Sequence, residues 1–167
     1  MSTQRHSGTM AKTRVEAIVG FLDGTGIPYE LVEHEPVMSA AEEARVMQLP
    51  PVQVAKTVVL QDGHAYVITA VSAACRLDLG KLRALLGATR QLRLASEAEI
   101  AEHFPSVEPG ALPPFGPMVP AAAVIDSALL EQERILCPAG DHSHSVLVDP
   151  RDVMRITAAD TADISED

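Results

Sequence analysis

The chain has 167 residues and a net charge of -10 at pH 7, with 23 acidic side chains against 13 basic ones, and 47% of its residues are apolar. That length and apolar content suffice for one domain with a real core. Aromatics at 3% and the absence of Trp leave the core to Val, Leu, Ile and Ala and exclude an aromatic platform for stacking bases. The acidity excludes a general attraction to nucleic acid or anionic lipid, so any phosphate contact has to be local.

The opening residues, "MSTQRHSGTMAKTR", carry no apolar run of the secretory type, and nothing in the chain approaches a membrane span, so the expectation is a cytoplasmic protein. One domain over residues 11–157 is expected, with 1–10 and 158–167 as flexible tails. Val15, Ile18, Val19 and Leu22 recur at helical spacing, and Gly24 and Gly26 supply the stop. A short strand fits "YELVEH". Ser39 and Glu42 then stand three apart as a capping box for a helix over "AAEEARVMQ" that ends before Pro50 and Pro51.

Two apolar runs flank "QDGH", where Asp62-Gly63 marks a β-hairpin. Asp78 is placed to cap "LGKLRALLG", with Leu79, Leu82, Leu85 and Leu86 on one face and Gly87 at the end. A strand about "RQLRL" follows, and Ser96 with Glu99 repeats the capping box ahead of a helix that stops at Pro105. Residues 105–120 hold six of the twelve prolines, which makes this stretch a shaped loop with few free amides. Strands fit "AAAVID", "RILCP" and "HSVLV", and Asp149-Pro150 sets an N-cap and first-turn proline before "RDVMRI". Helices and strands that mix without strict alternation imply an α+β domain with a mixed, strongly twisted, barrel-like sheet flanked by helices.

Lys56 is the sharpest local anomaly, since it shares a strand face with Val54, Val58 and Leu60. Two readings stay open: its stem covers the core edge while the ammonium reaches water, or it sets a cation at a pocket rim against a phosphate or carbonyl oxygen. "GALPPFG", residues 110–116, is either a rigid connector or a stiffened loop that holds backbone groups against a ligand. In "GDHSHS", His142 and His144 lie two apart, but a third metal ligand at a telling spacing is missing, so no metal is expected. There is no G-x-S-x-G, no G-x-G-x-x-G and no P-loop, and hence no signal for covalent serine catalysis or a nucleotide cofactor. Cys75 and Cys137 lie far apart and are expected as free thiols. The stretch 76–93 reverses the local sign of charge, with Arg76, Lys81, Arg83, Arg90 and Arg93 against Asp78 alone. It is either a solvated face or the place to look for a phosphate backbone.

Taken in order, "HEPVMSAAEEA", "VAKTVVL", "CRLDLGKLRALLGATRQLRLASEAEI", "VEPGALPPFG", "AVIDSALL" and "GDHSHSVLVDPRDVMRI" resemble the YbaK/ProX-type aminoacyl-tRNA deacylases, a family that includes the editing domain inserted in bacterial prolyl-tRNA synthetases. The resemblance implies a free-standing hydrolase that cleaves the ester of a mischarged tRNA, of the cysteine, alanine, serine or threonine type, without a cofactor. It sets the family lysine on Lys56 and the G-x-x-x-P loop on Gly110 to Pro114, the implied catalytic positions being Lys56 and Gly110. Thr57, Pro114, Phe115, Gly116 and His34 are the expected substrate contacts, joined by His142 and His144 from a stretch where family members vary, and the basic stretch supplies Arg76, Lys81 and Arg83 as the expected tRNA contacts. The implied partner is the tRNA acceptor end; the overall acidity adds a synthetase or elongation factor as an expected helper, and a monomer is the simplest assumption for the protein itself. A binding module of the same fold without turnover, and a hydrolase of small esters or thioesters independent of tRNA, are the competing readings.

Overall fold

The computed structural model describes residues 10–87, 91–115 and 122–167. Helix α1 (Met10–Thr25) runs further toward the N-terminus than the apolar spacing alone marks, and Gly26, at φ +78°, ends it. Strand β1 (Tyr29–Glu33) leads into α2 (Ala40–Met47). The α2 cap is half the expected box: Ser39 Oγ accepts from the Glu42 amide, but the Glu42 carboxylate reaches back one residue further, to the Met38 amide at 2.9 Å. Strands β2 (Ala55–Asp62) and β3 (Ala65–Ser72) form the hairpin with Asp62 opposite Ala65, so the turn residues are Gly63 and His64 rather than Asp62 and Gly63. Gly63, at φ +66°, takes the first of the two turn positions, where positive φ suits the twist of the flanking strands.

Helix α3 (Leu79–Leu86) has the Asp78 cap and the Gly87 stop, yet only Leu82 is fully buried and Leu85 is 42% exposed. Strand β4 (Arg93–Leu94) is shorter than expected, and α4 (Glu97–His103) carries the complete Ser96–Glu99 capping box. The remaining elements are β5 (Ala122–Asp126), β6 (Ile135–Pro138), β7 (His144–Val148), α5 (Pro150–Thr157) and β8 (Asp160–Ala162).

The architecture is α+β with mixed pairing, but the expected barrel-like closure is absent, because the described strands divide between two open sheets. One has the order β1-β7-β6, all antiparallel; the other runs β4-β2-β3-β5-β8, antiparallel up to β3 and parallel beyond it. A single bridge between Val54 and Leu136 ties them together. The expected C-terminal tail is instead built in: β8 adds a parallel strand to β5, Ile164 is fully buried, and its amide donates to the buried Asp126 carboxylate at 2.8 Å.

Both faces of β2 are covered, as the uninterrupted apolar run requires. Ala55 and Val59 pack with Ile18 and Leu22 of α1, Phe104, Phe115 and Val153. Leu60 packs on the opposite side with Val67, Val71, Leu82, Val124 and Ile164. The strand therefore has its side chains fixed along its length, and its first residues emerge from that packing at the edge of a cleft. No described helix is long and apolar enough to cross a membrane.

Candidate functional site

The cleft opens where the start of β2 meets the loop after β1, the segment 105–115 and the turn 139–143. It encloses roughly 430 Å³ including its open mouth, and Lys56, Thr57, Gly110, His34, His142 and His144 all line it. Six positions scattered over more than a hundred residues are thus brought to one place. Among the described residues that line the cleft, Lys56 is the only Lys or Arg. Its neighbour Thr57, half-buried, presents a hydroxyl oxygen that is itself buried and has no hydrogen-bond partner. A buried hydroxyl left without a partner carries a desolvation penalty that a ligand group can relieve.

Three segments are fastened around that cleft mainly by backbone bonds. The His34 amide donates to Ser143 O at 2.9 Å and the Val37 amide to His142 O at 3.0 Å, which extends the β1–β7 ladder into the loop that carries Met38 and Ser39. Glu108 N donates to Gly140 O and Gly140 N to Ala111 O, so the proline-rich segment is tied to the histidine turn. The Glu108 side chain completes the tie, accepting from the His142 amide at 3.1 Å on one oxygen and from Arg14 Nη1 at 3.0 Å on the other. Gly110, at φ +89°, needs the conformational freedom of glycine at this bend.

The histidines are held by acids that the sequence reading passed over. Asp141, almost fully buried, accepts from the Ser143 amide at 2.8 Å and lies 2.9 Å from His144 Nδ1. His34 Nδ1 lies 2.8 Å from the carbonyl oxygen of Glu35, which can only accept, so this nitrogen carries a hydrogen. Its Nε2 faces Ser145 Oγ at 2.9 Å and Glu43 Oε2 at 3.3 Å, and Ser145 is also hydrogen-bonded to Glu43. Burial pushes the Glu43 carboxyl above the usual carboxylate range, partly offset by its Ser145 bond and the nearby His34. Glu43 was hidden because an acid in a first helical turn is the ordinary response to the helix dipole. The available signal was its position between Ala40, Ala44 and Met47, all of which turn toward the core.

Other expected contacts lie elsewhere. Phe115 is 4% exposed and stacks on Phe21 with ring centroids 6.0 Å apart, and Pro114 is buried beside it; neither lines the cleft, and both anchor the loop from behind. Gly116 falls outside the described residues. Lys81, expected as a tRNA contact, is held by Asp163 at 3.1 Å, Asp167 at 3.3 Å and the Ser165 carbonyl at 2.8 Å, an occupation made possible by the ordered C-terminus. Arg83 donates to Leu92 O at 3.2 Å and Arg76 is exposed, and neither borders the cleft. Burial raises the Cys137 thiol well above its ordinary pKa, with the Glu43 charge adding to the effect, so this cysteine is no nucleophile. Among the described residues no cluster of His, Cys, Asp or Glu is arranged to hold a metal.

The fold thus presents a polar, histidine-walled cleft with a lysine at its edge. The model of the aminoacyl-tRNA editing domain matches residues 34–156, and the chain belongs to that family of aminoacyl-tRNA deacylases. It is 26% identical over 150 residues to the prolyl-tRNA editing protein ProX of Acetoanaerobium sticklandii, covering 86% of this chain and 90% of that protein. Among solved structures, a candidate trans-editing enzyme for prolyl tRNA synthetase superposes with a TM-score of 0.83 at 27% identity, over 92% of this chain and 98% of the other. A hypothetical protein solved by crystallography shares the fold with a TM-score of 0.82 at 23% identity, over 92% and 99% of the two chains.

Proposed function

We propose that the cleft removes a small, wrongly attached amino acid, of the alanine, cysteine, serine or threonine type, from the terminal adenosine of a tRNA. The observation that carries this reading is the meeting of Lys56, Thr57 and Gly110 in one cleft, within a chain of the editing family. The amino acid enters between Val37, Ala55 and Ala111, and selection among amino acids is mainly by volume. Lys56, at the mouth, holds the tRNA end.

Water attacks the ester carbon, the carbonyl oxygen gains negative charge, and the bond to the ribose oxygen then breaks, with the proton passing to that oxygen. A vicinal ribose hydroxyl helps position the water. Charge on the carbonyl oxygen is stabilised by the Lys56 ammonium and by the Gly110 amide, since Ala111 commits its own amide to Glu108 O at 2.9 Å. Removing one such donor costs on the order of 3 kcal/mol, or about a hundredfold in rate. The protein acts as a monomer, and its net charge of -10 makes delivery of tRNA by a synthetase or elongation factor part of the proposal.

The test is a panel of mischarged tRNAs incubated with the wild type and with Lys56→Ala, following loss of the aminoacyl ester. Rapid loss for one or two pairs, lowered about a hundredfold in the variant, supports the reading and names the substrate. No loss for any pair by a folded protein leaves a binding module, and equal cleavage of simple aminoacyl esters moves the activity away from tRNA.

A further inference from the structure

Ser145 Oγ lies between two partners, Glu43 and His34 Nε2, and the three side chains form a closed triangle on the wall of the cleft. Glu43 is 4% exposed and Ser145 1% exposed, so a missing bond between them is costly. The triangle can be counted in protons. His34 Nδ1 already uses its hydrogen on the Glu35 carbonyl. With Glu43 ionised and His34 neutral, Ser145 owns the sole hydrogen available for two hydrogen bonds, to Glu43 and to His34 Nε2. One bond would then be two lone pairs facing each other in a buried space.

We propose that Glu43, Ser145 and His34 hold one additional shared proton, and that Glu43 and Ser145 are thereby positioning residues for the His34 side of the cleft. With the proton on Glu43, the carboxyl donates to Ser145 Oγ, Ser145 donates to His34 Nε2, and His34 Nδ1 donates to the Glu35 carbonyl. Every bond then runs in one direction, an arrangement in which each polarises the next. With the proton on His34 the same bonds run from Nε2 to Ser145 and on to the carboxylate. Both forms satisfy the geometry, and loss of the proton breaks it.

What the triangle holds is the cleft wall itself. Glu43 belongs to α2, His34 to the loop after β1, and Ser145 to β7, so the shared proton fastens three elements at the point where Val37, Met38 and Ser39 border the cleft. The charged and titratable groups facing this point are Lys56 from β2, Cys137 from β6, His144 from β7, and Asp141 and His142 from the turn. Burial favours the neutral carboxyl, and the Cys137 thiol, itself driven toward its neutral form, brings no compensating charge. The sign follows: stability supplied by the protonated carboxyl is full at low pH and is lost as pH rises through the raised value.

The role in catalysis rests on the editing reading above; the proton itself does not. The experiment follows the His34 imidazole nitrogens and the Glu43 carboxyl carbon by NMR from pH 5 to 9, alongside deacylation of mischarged tRNA by the wild type, Glu43→Gln and Ser145→Ala. The expected wild-type result is one joint transition of Glu43 and His34, with Nδ1 protonated throughout and activity falling on its alkaline side. Glu43→Gln, whose amide donates to Ser145 at every pH, keeps activity within about twofold and loses the alkaline fall. Ser145→Ala removes the hydroxyl that links the two groups, leaves only their direct 3.3 Å contact, and lowers activity roughly tenfold to a hundredfold by misplacing the wall. Independent titration of the two groups in the wild type, or an alkaline fall in activity that survives in Glu43→Gln, overturns the proposal. If none of the proteins cleaves any tRNA, the editing reading fails while the NMR result still decides the shared proton.

Discussion

Gly110 is seated directly against His142: a methyl group on its α-carbon would lie 3.3 Å from Cε1 of the imidazole. The same residue has φ +89°, which an L side chain rarely adopts. Gly110→Ala therefore combines backbone strain of about 1–3 kcal/mol with a push on a cleft-lining ring. The expected outcome is a lowered Tm together with a fall in deacylation larger than the stability loss explains at a temperature where the variant is fully folded. Circular dichroism melts paired with single-turnover deacylation check it, and a variant with unchanged turnover would detach this glycine from the reaction.

Phe115 makes the opposite prediction. Its ring packs on Phe21 inside the main core rather than in the cleft, so Phe115→Ala should cost about 3–5 kcal/mol of stability through the lost burial and the cavity left behind. Phe115→Leu, which refills most of that space, should recover most of the loss. Denaturant unfolding gives both values. Deacylation per folded molecule should change little in Phe115→Leu, which separates an anchor of the loop from a contact with substrate.

What could be read from the sequence divides along the range of the interactions. The Ser96–Glu99 box, the Asp78 and Asp149 caps and the Gly87 stop depend on residues a few positions apart, so the local pattern carries them. Lys56 was conspicuous because a charge on a strand with both faces apolar breaks the binary pattern. Ser145 and Asp141 break no pattern, and Glu43 breaks only the short apolar spacing of Ala40, Ala44 and Met47. They matter through a pairing of β1 with β7 that spans more than a hundred residues, and no local signal announces it. The arginines and lysine of 76–83 show the converse, since their local charge was visible while the acidic C-terminal segment that occupies Lys81 was read as a tail.

Glu99 gives a pH prediction with the usual carboxylate sign. Its side chain takes two hydrogen bonds from Arg93, at 2.9 and 2.7 Å, and one from the Ser96 amide at 2.8 Å. These bonds, the Arg93 bond foremost, hold the carboxyl down at about 2. A carboxyl depressed in the folded state supplies stability that is present above its ordinary value and is lost as pH falls toward 2. The Tm gap between the wild type and Glu99→Gln should therefore be widest near neutrality and close on acidification, with high salt narrowing it because the group is exposed to solvent. A gap that stays constant from pH 7 to 3 would show that the Arg93 pairing adds nothing.

The C-terminal ten residues should behave as part of the domain. Their sequence is polar and acidic, but Ile164 is fully buried among Leu60, Leu82 and Val124, and the backbone is bonded on both sides, with Asp78 N donating to Ile164 O at 2.7 Å and Glu166 N to Arg76 O at 2.8 Å. The buried Asp126 carboxylate takes its hydrogen bond from the Ile164 amide. Deleting residues 158–167 removes β8, opens the apolar cluster beneath α3 and leaves Asp126 buried without that partner, a combination expected to cost several kcal/mol. Ile164→Ala isolates the burial component at about 2–5 kcal/mol, and Lys81→Ala, which loses exposed ion pairs and the bond to the Ser165 carbonyl, should shift Tm less. Thermal melts of the three variants rank these contributions; a deletion that melts with the wild type would return the segment to the role of a tail and free Lys81 for another partner.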